Sequence, residues 1–354
     1  MPYRKEKHTT SECFYPYYTL LLKLIKNSIN SLTRARTGFA SLSNEEIFDI
    51  LKHLNLIDRM SFAMTSHCHK TIVHGTVLHF VMQLLRRFTF QTMAFLQLLW
   101  LNNAIIGGSI ALAALYIDEE PRPDLKLHLF IPAFDNKDFI ETLTDEYDYE
   151  IIEVRRIKAR HFIESSVKKI IHLRNANHAT IYVFFSRDDS ALTPIFHLPA
   201  THHMNFISAY GIYCAYPHFT FAKDTILHPK AVYNTKTNED VGQMMERYIS
   251  DGLNVYTSFK SLSVDQPHDR CRLDIRCPHL IRTLYDKHGF FVPLELPITT
   301  ILRPNKVAYN CENGVVWNIG GEGCESGMTP NDSFVMTTWL HGSKHTSYND
   351  NRLQ

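Results

Sequence analysis

Residues 104–117, "AIIGGSIALAALYI", form the longest nearly apolar run of the chain, and two adjacent glycines interrupt it. Fourteen residues are too few to cross a bilayer. Gly107 and Gly108 mark a tight strand-to-helix turn, and the apolar residues beyond them predict a helix from about Ser109 to Tyr116. Residues 125–132, "LKLHLFIP", then alternate as a half-buried strand does. A turn of this kind followed by a strand commits the chain to a sheet with helices laid on it.

The downstream pattern extends that sheet. Asp135 and Asp138 open a helix through Phe139, Ile140 and Leu143, and "YEIIEV" reads as a strand. "VKKIIHL" and "ATIYVFFS", separated by the turn-forming "RNANH", predict a hairpin. "TNEDVGQMMERYISDG" reads as a capped helix closed by Gly252. The expected class is α+β: a short N-terminal helical segment, then a mixed sheet with helices. The expected boundaries are an arm over 1–38, helices over 39–90, one α/β body over 91–340 and a frayed tail over 341–354.

In the N-terminal segment, "LSNEEIFDILKHLNL" carries Ser43 and, three residues on, Glu46, the spacing of a capping box. Ile47, Ile50, Leu51 and Leu54 share one helical face. Asp58 is expected to open a second short helix, and "TIVHGTVLHFVMQLLRRF" a third. Leu42, the Glu46-Ile47 pair, Ile50-Leu51, Leu54, Asp58-Arg59 and Ala63 together resemble the F-box, although Ser43 stands where that motif usually has Pro. The resemblance implies a helical hook that docks on the Skp-type adaptor of a cullin–RING ubiquitin ligase, with Leu42, Ile47, Ile50, Leu51 and Leu54 as anchors. The plain alternative is an ordinary helical cap on the body.

The Gly107-Gly108-Ser109 turn resembles the phosphate-holding turn of polymerase-beta-like nucleotidyltransferases, where backbone N–H groups and a helix N-terminus receive the triphosphate. That family holds two metal ions with two carboxylates one residue apart on the next strand and a third on a neighbouring strand. Aligned on "FIP", this chain has Lys126 and His128 at the first two positions and Tyr182 at the third. A two-residue shift recovers only Asp124 and keeps Lys126, so the resemblance implies at most a vestigial nucleotide site at Gly107, Gly108, Ser109 and Lys126. Asp118, Glu119 and Glu120 stand nearby in sequence. Across roughly residues 42 to 325 the chain resembles a group of fungal proteins that join an F-box-like start to a nucleotidyltransferase-like body. The shared wording includes "MNFISAYGIYCAYP", "MMERYISDG" and "CPHLIRTLYDKHGFFVPL".

Other constellations are thinner. Cys271, Cys277 and His279 are candidate zinc ligands, but Cys-x5-Cys is not a standard knuckle spacing. His202 and His203 would face opposite ways on a strand and so make poor partners for one metal. "GGEGCESG" lacks the Lys-Ser/Thr of a P-loop, and no nucleophile elbow is present. Seven scattered cysteines, an odd number, fit a reducing compartment, and the expected location is cytoplasmic or nuclear. A net charge of +1 supplies no field toward nucleic acid or an anionic membrane. The expectation is an adaptor without enzymatic activity or cofactor, whose body recognises a protein or small molecule. The rivals are an active, metal-dependent nucleotidyltransferase and an interaction module unrelated to ubiquitin ligases.

Overall fold

The computed structural model describes residues 42–133, 137–158, 166–233, 238–262, 274–295, 315–320 and 334–337. The expectations for the N-terminal arm, the C-terminal tail, Asp135, Cys271 and the glycine-rich segment after Gly320 lie outside them. The chain divides into two compact units, one ending at Thr76 and the other starting at Val77.

In the first unit, α1 (Asn44–Lys52) begins at Ser43, whose side chain accepts from Glu46 N while the Glu46 carboxylate accepts from Ser43 N at 2.7 Å. The capping box is therefore formed. Asn55 caps α2 (Leu56–Ala63) by accepting from Asp58 N at 2.9 Å, so that helix starts ahead of the expected Asp58. Arg59 Nε donates to Leu54 O at 2.8 Å and ties α2 to the end of α1. The third helix, α3 (His67–Leu85), begins four residues before the expected segment and crosses the division between the units.

The second unit opens with α4 (Thr92–Leu101), whose "TMAFLQLLWL" is apolar on nearly every side. Then come β1 (Ile105–Gly107), α5 (Gly108–Leu115), β2 (Leu127–Ile131), α6 (Lys137–Asp145), β3 (Tyr149–Arg156), β4 (Val167–Asn175) and β5 (Thr180–Ser186). A short α7 (Thr193–Phe196) and a 3-10 turn (Thr201–His203) lead to β6 (Asn205–Ile207) and β7 (Gly211–Cys214). After α8 (Pro217–Phe221) follow β8 (Asp224–Ile226), α9 (Pro229–Tyr233), α10 (Asn238–Ser250), β9 (Asn254–Tyr256) and α11 (Phe259–Leu262). The described chain closes with β10 (Arg282–Thr283), β11 (Phe290–Pro293), β12 (Val315–Asn318) and β13 (Phe334–Thr337).

Eight strands make one mixed sheet in the order β11-β7-β6-β1-β2-β5-β4-β3. The parallel pair within it is β2 with β5, in the register His128 to Tyr182. The expected hairpin is β4–β5, and "YEIIEV" is the edge strand β3. The strands β8-β9 and β10-β12-β13 form two smaller sheets. The architecture is thus mixed α+β around a large sheet.

One core cluster joins Ile105 and Phe130 of the sheet to Ile195, Phe196, Phe206, Phe219 and Trp317. Phe196 stacks on Trp317 with ring centroids 3.8 Å apart. Arg282, only 1% exposed, forks onto Asp286 with Nε–Oδ2 at 2.6 Å and Nη2–Oδ1 at 3.1 Å. Its Nη2 also donates to Ala215 O at 2.8 Å, and the guanidinium lies 4.8 Å from the Tyr216 ring centroid. Burying a cation is costly unless its donors are met, and this pair together with the aromatic faces meets most of them.

Candidate functional site

The Gly107-Gly108 turn is built by close packing. Gly107, in extended conformation, caps α5, and a Cβ there would come within 2.6 Å of Ile195 Cδ1 and 2.7 Å of Phe130 Cε2. Gly108 has φ +66°, and a Cβ on it would fall 2.5 Å from His128 Nδ1. The imidazole of His128 therefore lies directly on the Gly108 backbone. Antiparallel pairing of Gly107 with His128 across β1 and β2 puts it there.

Of the residues expected at degenerate metal positions, Lys126, His128 and Tyr182 come together. His172, Tyr182 and His128 are direct cross-strand neighbours on β4, β5 and β2. His172 stacks on Tyr182 at 4.6 Å, and Tyr182 meets His128 edge-on at 5.6 Å. Phe184 meets the same imidazole edge-on at 5.5 Å. Lys126 Nζ stands 6.0 Å from the Tyr182 ring centroid. A ladder of rings occupies the surface where the resemblance would require carboxylates. Burial, reinforced by the nearby Lys126 charge, lowers the His128 pKa to about 4, so the ring is neutral at neutral pH. Asp124 is exposed in the turn before β2, and Asp118, Glu119 and Glu120 are exposed as well. Ser109 Oγ donates to Lys126 O at 3.3 Å.

Asp188, just past β5, is a mostly buried carboxylate that sequence pattern did not single out. It accepts from Ser186 Oγ and Thr193 Oγ1, both at 2.7 Å, and from Ser190 N at 3.1 Å. Burial raises its pKa, against those hydrogen bonds, which lower it. Its role is to fold the loop leading into α7.

A cleft of about 170 Å³ opens along α5. Its walls include Ser109 and Tyr116 of α5, Glu119 and Arg122 from the following segment, and Lys223 and Asp251. His202 and His203 also line it. The expectation that these two histidines face apart is corrected: they sit on the 3-10 turn, not a strand, and their ring centroids are 3.8 Å apart. Consecutive side chains on such a turn diverge by about 120°, against about 180° on a strand. His202 Nδ1 is 2.6 Å from Thr225 Oγ1, whereas the buried His203 Nδ1 has no hydrogen-bond partner. Burial, followed by the nearness of His128, lowers the His203 pKa to about 4, although Asp251 opposes the shift. A base that weak takes few protons at neutral pH, so the pair suits hydrogen bonding better than proton transfer.

The two cations of the cleft are both paired with carboxylates, and Glu120 adds a further acid to its wall. Lys223 pairs with Glu119 at 2.9 Å, and Arg122 pairs with Asp251 and also donates to Asp251 O at 3.2 Å. Tyr116 donates to Thr220 O at 2.7 Å, with Lys223 Nζ 5.8 Å from its ring centroid. These groups come from four separate stretches of chain, and no spacing signal links them. The arrangement suits a small, uncharged polar molecule better than a phosphate.

Of the hook residues, Ile47 and Leu51 are buried, at 3% and 1% exposure, and Leu42, Ile50 and Leu54 are half-buried. Among the zinc candidates, Cys277 and His279 are buried. Among the described residues, no group of three or more His, Cys, Asp or Glu is placed to hold a metal ion, and no helix is long and apolar enough to cross a membrane. Comparison of the chain with protein-family models, curated proteins and solved structures returns no match.

Proposed function

We propose that the chain is an F-box-type adaptor whose body has a nucleotidyltransferase-like fold without the transfer chemistry and serves to recognise a partner. The observation that carries this reading is the His128 imidazole packed on Gly108, in a ladder with Tyr182 and His172. A phosphate received at that turn would have to displace a half-buried ring packed on the Gly108 backbone. Two-metal transfer also needs clustered anionic oxygens, and neutral imidazole and phenol are poor substitutes for a hard cation. The capping box at Ser43 and the apolar face of α1 support the hook.

The test has two arms. Full-length protein should capture a purified Skp-type adaptor, and replacing the half-buried Ile50 and Leu54 by Asp should abolish capture while circular dichroism stays unchanged. Undiminished capture by the folded double variant defeats the hook and leaves an interaction module of another kind. In the second arm, purified protein with Mg²⁺ or Mn²⁺ and each NTP should transfer no nucleotide. Turnover that vanishes on Asp124→Ala would favour the enzyme instead.

A further inference from the structure

The two edges of the large sheet differ. One is β11, four residues ending in Pro293, a short edge of the kind that resists further pairing. The other is β3, eight residues long, bonded to β4 on one side and without Pro or Lys. Its Ile151, Ile152 and Val154 are 47%, 43% and 53% exposed. Across the ladder, Ile151 and Val154 stand opposite Leu173 and Ile171, which are 0% and 4% exposed. The apolar face of the sheet thus runs on to β3 and is left partly open there.

The charges of this strand are ordered. Along "YEIIEVRR", Glu150 lies near one end and Arg155 near the other. A register shift between Ile151 and Glu153 leaves Ile152 as an extra residue against β4. In an unbroken strand, residues five apart point to opposite faces. The shift changes that: Glu150 and Arg155 oppose Arg174 and Ile170, four residues apart on β4, and so share one face. Ile151 and Val154 share the other.

We propose that β3 is the contact through which two copies of this chain associate, the strands pairing antiparallel about a two-fold axis between Ile152 and Glu153. In this register Glu150 of each copy faces Arg155 of the other, and Ile151 faces Val154. Each of these two pairs lies on a single face of the joined sheet, as direct cross-strand neighbours must. Sliding by two residues one way sets Glu150 against Glu153, and the other way sets Ile152 against Arg155. One slide therefore opposes like charges, the other sets a cation against an apolar side chain, and the edge favours one register. Such an interface is isologous, so each substitution acts twice.

The experiment is sedimentation velocity on the full chain over a concentration series. Wild-type protein should show a reversible monomer–dimer equilibrium. Glu150→Arg and Arg155→Glu, each placing like charges opposite one another at two symmetry-related points, should each weaken association by about tenfold. The double variant E150R/R155E exchanges the partners and should recover wild-type association. Circular dichroism controls for folding, since both side chains are exposed. Monomeric wild-type protein throughout the series overturns the proposal. Dimers that neither single substitution weakens overturn it too, as does a double variant no better than the singles. Monomers whose β3 amides are protected from exchange along the outer edge would show that another segment of the chain covers the strand, and would also overturn it.

Discussion

Replacing Gly108 by Ala tests the packing that closes the glycine turn. The backbone has φ +66° at this position, where a Cβ costs about 1–2 kcal/mol. That Cβ would also lie 2.5 Å from His128 Nδ1 and 3.3 Å from its Cγ. The imidazole is held between Tyr182 and Phe184 and has little room to retreat. Forcing a packed ring aside costs about 1–3 kcal/mol more. Gly108→Ala should therefore destabilise the protein by about 2–5 kcal/mol. In a His128→Ala background the steric part vanishes and about 1–2 kcal/mol remains, so the cycle should show a coupling of about 1–3 kcal/mol. The cost of His128→Ala itself cancels from the cycle. Urea denaturation of the four proteins, with the slope held constant, measures each value. An equal cost of Gly108→Ala in both backgrounds would show that the ring does not rest on the turn. The surface proposed to be closed to phosphate would then be open.

Two further outcomes follow from buried charge. His128 and His203 titrate near 4 when folded and near 6.5 when unfolded, so between those values the unfolded chain binds more protons. Stability should be complete above about pH 6.5 and fall as the pH drops toward about 4, by roughly 3 kcal/mol for one such histidine and less than twice that for the coupled two. Thermal unfolding followed across this window measures it, and a midpoint that does not move would refute the lowered pKa values of both rings. In the second case, Asp286→Ala strands the Arg282 guanidinium at 1% exposure and should cost about 3–5 kcal/mol. Adding Arg282→Met should recover a large part of that loss, and a double variant as unstable as the single one would show that the carboxylate acts through its backbone contacts at Thr283, His288 and Gly289.

The segments that sequence reasoning placed well are those whose period matches a half-buried element. The strands β2, β3, β4 and β5, the helix after Gly108 and the capped α1 all have this character. Helix α4 escaped notice because it is apolar on nearly all sides and Gln91 gives it no side-chain cap, so neither periodicity nor capping marks it. The histidine pair was misplaced because the extended chain around it hides a single 3-10 turn. The glycine turn was found, but its reason was not. A local motif shows that no Cβ fits, and only strand register shows that His128 is what excludes it. The cleft was beyond reach, because Tyr116, His203, Lys223 and Asp251 converge only through the tertiary fold.

The strand order also has a consequence for how the chain assembles during synthesis. β3, β4 and β5 are consecutive antiparallel neighbours, with pairing between segments close in sequence, so they suit early formation. β1 is different: it lies between β2 and β6, and its register partner on the far side is Ile207, 101 residues downstream of Ile106. Until β6 leaves the ribosome, β1 keeps one row of unmet backbone groups beside an apolar helix. Closure of the sheet at β1 therefore waits on β6, and nascent chains ending before Asn205 are the ones that call for a chaperone.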